Sequence, residues 1–150
     1  MLNANPVAPA PAHLPRFVLL FDGSCAVCDS TVQWLTDRDP EARLAYAPLS
    51  GPTAAAVRAR HPEWPENLDS LVLVEQTAGG ERIHWYSTAM LRSVGQLDGF
   101  VPTLARLALW FPRPLRDVFY RAFARIRYRV FGRLESCRIP TPDLQARFLD

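Results

Sequence analysis

The sequence predicts an α/β fold: one sheet with flanking helices, followed by a helical C-terminal extension. Three observations predict it. Phe17–Phe21 is an unbroken apolar run, the segment after it carries apolar residues at helical spacing, and two later strand-like runs are joined across Gly79 and Gly80. A strand buried on both faces reads as a continuous apolar run, whereas spacing of three and four residues marks one face of a helix.

The first strand closes at Asp22-Gly23, a turn pair. Ser24 to Asp37 follows as a helix, with Val27, Thr31, Trp34 and Leu35 on one face and Pro40 beyond its end. Leu44 to Leu49 alternates loosely and reads as a second strand. Thr53 to Arg60 is Ala-rich and helical until Pro62 stops it. Leu71–Glu75 and Arg82–Tyr86 form the predicted hairpin. Ser87 is placed to cap a helix reaching about Leu97, with Gly99 past its end, and Pro102 opens a shorter one to about Phe111. Pro112-Arg113-Pro114 breaks the chain before a long helix from Leu115 to Phe131, which Gly132 ends.

Strand, helix, strand, helix, hairpin, helix is the thioredoxin-like order, in which the crossover helix makes the first two strands parallel. Residues 1–15 are rich in Pro and Ala and lack both a basic start and an apolar core, so they read as a disordered tail rather than a secretory signal. Residues 16–150 then form a single domain.

The chain has 150 residues, 49% of them hydrophobic, enough to bury one core without disulfide staples. A formal net charge of +2 does not single out nucleic acid as a partner, and none is expected. Its distribution is uneven. Residues 106–138 hold nine Arg against Asp117 and Glu135, whereas residues 1–105 hold seven Arg against eleven acids. No stretch reaches the roughly 18 apolar residues of a membrane span. Cytoplasmic location is the expectation, and there paired cysteines are more often redox-active or metal-binding than structural.

Cys25-Ala26-Val27-Cys28 is the candidate working pair. Thiol–disulfide exchange needs a thiolate to attack, a second thiol to resolve the mixed disulfide, and access for the partner's sulfur. With a helix beginning near Ser24 or Cys25, its free N–H groups and positive dipole end favour thiolate at Cys25. Cys28, about one turn deeper, is the expected resolving thiol. Asp22 is the candidate proton acceptor for that thiol, and also suits an Asx turn before Gly23. The expected partners are a protein or small-molecule disulfide and an external thiol reductant, with no cofactor. The same cysteine spacing supplies half of many zinc sites. A zinc module using Cys25, Cys28 and Cys137 is therefore one alternative, although a lone Cys such as Cys137 is more often a small buried hydrophobe.

Phe21-Asp22-Gly23-Ser24-Cys25-Ala26-Val27-Cys28-Asp29 resembles the opening motif of the DCC family of predicted thiol–disulfide oxidoreductases. The resemblance extends over Tyr46-Ala47-Pro48-Leu49, Asp69 to Val74, Ser87-Thr88-Ala89, Arg116-Asp117, Tyr120, Arg127-Tyr128-Arg129, Phe131-Gly132-Arg133 and Cys137, or residues 16–149 in all. It implies a thioredoxin-like fold with Asp22, Cys25 and Cys28 as signature positions. One departure from ordinary thioredoxins is visible: they carry a cis-proline before the third strand, and here Asp69-Ser70 stands there.

Residues 115–131 are amphipathic and basic. The expected arrangement packs the stripe Leu115, Val118, Phe119, Ala122, Phe123, Ile126 and Val130 onto the sheet and leaves the arginines solvated. Contact with an anionic membrane surface or a membrane partner is the other reading.

Overall fold

In the computed structural model the described residues are 14–22, 26–66, 68, 70–131 and 147–149; of residues 26–29, 127, 128, 130 and 131 only the backbone is described. The predicted tail up to residue 13, residues 23–25 with Cys25 among them, and Cys137 lie outside them.

Four strands form one mixed sheet in the order β2-β1-β3-β4. β1 is Phe17–Phe21, β2 Leu44–Pro48, β3 Val72–Thr77 and β4 Gly80–Trp85. β1 runs parallel to β2 through the crossover helix α1, Ala26–Asp37, with Phe17 level with Leu44 and Phe21 level with Pro48. β3 pairs antiparallel with β1, Leu20 opposite Val72, and continues into β4 through a tight hairpin. Gly80 turns that hairpin at φ 120°, a conformation L side chains avoid.

The unbroken apolar run of β1 is explained by its central position. Phe17, Leu19 and Phe21 enter one core with Val32 and Leu35 of α1 and Ala89 and Val94 of α3, Tyr86–Val94. Val18 and Leu20 enter the opposite core with Ala54 and Val57 of α2, Pro52–Arg60. Period-two alternation sends neighbouring side chains to opposite faces, and helices cover both. Each fully buried Leu or Val contributes about 1.5–3 kcal/mol.

The edge strand β2 is covered by the chain's end. The Tyr46 N–H donates to Arg147 O at 2.9 Å, and the Leu149 N–H donates to Tyr46 O at 3.0 Å. Phe148 then lies edge-on to Phe21, ring centres 5.7 Å apart, and tilted against Tyr46. Burial pushes the Tyr46 phenol above its ordinary pKa, and its oxygen accepts from Thr36 Oγ1 at 3.2 Å.

Two helices follow the core, α4 at Val101–Ala108 and α5 at Arg113–Phe131. α5 overturns the expected packing. Among its described side chains Arg116, Asp117, Tyr120 and Ala124 are the sheltered ones, whereas Val118 is 61% and Phe119 70% exposed. Leu115, Phe123 and Ile126 are exposed with them. The inward side is held by polar bonds to α3, which leaves the apolar stripe outside.

Candidate active site

The site grows from the end of β1. Asp22, half-buried, is the first residue past the strand, and the chain is helical from Ala26 within the described residues, with Cys28 in α1. Cys25 directly precedes α1 in the chain and lies outside the described residues, as does the side chain of Cys28. Asp22 is thus the one member of the predicted triad whose side chain is described.

The β1–β3 ladder reaches Leu20 opposite Val72, the first residue of β3, and Ser70 lies two residues before Val72 in the chain. Ser70 is buried, and its hydroxyl is a junction. Its oxygen lies 3.1 Å from Leu71 O and 3.3 Å from the Tyr120 hydroxyl, and it accepts the Tyr86 N–H at 3.2 Å. No cis peptide occurs among the described residues.

Tyr86 itself sits at φ 56°, in the left-handed region that non-glycine residues rarely adopt. Such strain persists only where surroundings fix it. Here the Tyr120 ring packs 6.0 Å from the Tyr86 ring, and the Arg121 guanidinium lies 4.7 Å from its centre. Ser87 does not cap α3 as its sequence position suggests, because Trp85 holds the N-cap. Its hydroxyl instead donates to Asp117 Oδ1 and accepts from Arg116 Nη1 at 3.2 Å. Arg113 Nε lies 3.5 Å from the other Asp117 oxygen. The Ser87 hydroxyl, the Asp117 carboxylate and the Arg116 guanidinium therefore tie α5 to α3, and the Tyr120 hydroxyl ties α5 to Ser70 just before β3.

The sequence marks Arg116, Asp117 and Tyr120 through family resemblance without a role, and Ser87 both through that resemblance and as a helix cap. The structure brings them together. Ser70 had no signal beyond standing where a proline was expected.

Comparison with known proteins agrees with this architecture. Residues 19–133 match the DCC1-like thiol-disulfide oxidoreductase family. The chain belongs to that family. Thiol–disulfide oxidoreductase chemistry, on thiol or disulfide substrates in general, follows for this DCC1-like protein. It is 31% identical to YuxK, an uncharacterized protein of Bacillus subtilis, over 91% of this chain and 96% of that one. It is also 31% identical to a chloroplastic DCC family protein of Arabidopsis thaliana, over 83% of this chain and 70% of the other. No solved structure matches it. Among the described residues, no helix is long and apolar enough to cross a membrane.

Proposed function

We propose that the DCC1-like protein exchanges disulfides through Cys25 and Cys28, with Cys25 as attacking thiolate. The observation that carries this reading is that the chain is already helical at Ala26, the residue after Cys25 in sequence, shortly past the central strand β1. The free N–H groups and dipole of a helix start stabilise a neighbouring anion and so lower a thiol's pKa.

In the proposed cycle the Cys25 thiolate attacks one sulfur of a substrate disulfide, forming a mixed disulfide and expelling the other sulfur as a thiolate. Cys28 loses its proton to Asp22 and attacks the Cys25 sulfur. The second substrate thiolate leaves, and a Cys25–Cys28 disulfide remains. Two electrons pass from the cysteine pair to the substrate, and an external dithiol returns them by the reverse exchange. The expected setting is the cytoplasm, where thiol reductants are available.

The test is a pair of substitutions. Cys25→Ser abolishes turnover of a model disulfide, while Cys28→Ser accumulates a mixed disulfide with substrate, seen as added mass that dithiothreitol removes. Retained turnover in both variants contradicts the proposal.

A further inference from the structure

Of the large apolar side chains that α5 turns outward, Phe119 and Phe123 line one cleft with Phe111, which follows α4. Every exposed large hydrophobic residue among the described residues lies between Phe100 and Ile126. Leu104 and Leu107 on α4, Phe100 at its N-cap and Phe111 just beyond its end are each more than half exposed. Trp110, between the two helices, is 88% exposed. α4 and α5 both pack on α3, and the cleft between the three, about 520 Å³, is walled by Met90, Leu91, Phe111, Phe119 and Phe123. Water-facing apolar patches of this kind mark interaction sites.

Charge decides the partner. Residues 100–129 hold seven Arg and a single acid, Asp117, which is turned inward onto Ser87 and Arg113. Arg121, Arg125 and Arg129 recur every fourth residue, so they form a row along one border of the apolar stripe, and all three are exposed. A second copy of this surface offers no carboxylate to that row. An anionic bilayer offers phosphates to the arginines and acyl chains to the aromatics.

We propose that α4 and α5 form a membrane-docking face, which lies in the plane of an anionic lipid surface with Trp110, Val118 and Phe119 inserted and Arg121, Arg125 and Arg129 at the headgroups. An in-plane helix of this kind combines a basic border with an aromatic and aliphatic face, without spanning the bilayer. The inference is independent of the cysteine chemistry. It follows from an amphipathic helix that buries its polar side against the protein.

The test is co-sedimentation of the full chain with vesicles of phosphatidylcholine alone or mixed with phosphatidylglycerol. Binding is expected to the anionic vesicles only, and each arginine near the surface is expected to add about fivefold to the partition coefficient. Arg121→Gln, Arg125→Gln and Arg129→Gln together should therefore lower partitioning on the order of a hundredfold. High salt should do the same. Trp110→Phe, a conservative change at an exposed site, provides an independent reading: brominated acyl chains quench fluorescence in the wild-type protein, and that quenching disappears in the variant. Three results would each overturn the proposal: equal binding to neutral vesicles, binding unchanged by the arginine substitutions, or no vesicle binding accompanied by self-association through this face.

Discussion

Replacing Asp39 with Ala should be among the most damaging single changes to this fold. The side chain is 0% exposed and joins three parts of the chain. Its Oδ1 accepts the Arg43 N–H at 3.1 Å, and its Oδ2 accepts the Leu44 N–H at 2.9 Å and Arg147 Nη1 at 3.3 Å. Arg147 Nη2 also donates to the Asp39 carbonyl at 2.6 Å. Alanine keeps that last bond and removes the other three, leaving two N–H donors and a largely buried guanidinium without their anion. Removing one partner of a buried ion pair costs about 3–5 kcal/mol. With a urea slope of roughly 2 kcal/mol per molar, the midpoint should fall by about 1.5–2.5 M. Arg147→Ala should cost less, about 1.5–3 kcal/mol, because the Asp39 carboxylate keeps its two backbone donors. Hydrogen exchange should locate the damage: the Tyr46 and Leu149 amides, which clamp the chain's end to β2, should lose protection before β1 and β3 do. If Asp39→Ala unfolds within about 1 kcal/mol of the wild-type protein, the reasoning fails.

Other outcomes follow from polar contacts elsewhere. Burial alone would lower the pKa of His61, but carboxylates at both ring nitrogens, Glu63 at 2.7 Å and Glu81 at 2.8 Å, outweigh it and raise the value. Because the folded state then holds its proton more tightly than the unfolded state, the stabilisation is full below about pH 6.5 and disappears as pH rises through the folded value. His61→Gln should therefore lose most stability relative to wild type at pH 5 and least at pH 9, in urea melts at the two pH values. His84 runs the other way, its pKa lowered chiefly by burial despite Glu75 at 3.1 Å. Its charging as pH falls below about 6.5 should destabilise the fold, so His84→Gln should flatten that part of the profile. Ser87→Ala leaves Asp117 and Arg116 without their shared hydroxyl and should cost about 1–3 kcal/mol, read as a lower urea midpoint and faster proteolysis within α5.

The sheet was legible because its central strand obeys a local rule. Phe17–Phe21 is buried on both sides, and an unbroken apolar run is the signature of that environment. The crossover and hairpin followed from turn residues at Asp22-Gly23 and Gly79-Gly80. The attachment of α5 was not legible, because amphipathicity reports that a helix has two faces and not which one meets the fold. The stripe of Leu115, Val118, Phe119, Phe123 and Ile126 predicts core contact under the usual rule. Here the polar side found Ser87, and Tyr120 found Ser70, partners 30 and 50 residues away. Distance in sequence hid the Asp39–Arg147 pair in the same manner, since 108 residues separate its members. Ser87 misled for a local reason. Serine before a helical run favours the cap, and this hydroxyl was instead drawn to a carboxylate on another helix. The succession of β1 and α1 around the motif was readable from the sequence, whereas the junction at Ser70 was not, because its partners Tyr86 and Tyr120 lie 16 and 50 residues away.

The pH dependence of Cys25 alkylation in the reduced protein, with Cys28→Ser as the control, measures whether Cys25 attacks as a thiolate. The proposed chemistry predicts a pKa clearly below the ordinary value of about 8.5, together with a Cys25–Cys28 disulfide that forms and reduces reversibly. A Cys25 that titrates at its ordinary value, or that forms no disulfide with Cys28, would contradict it.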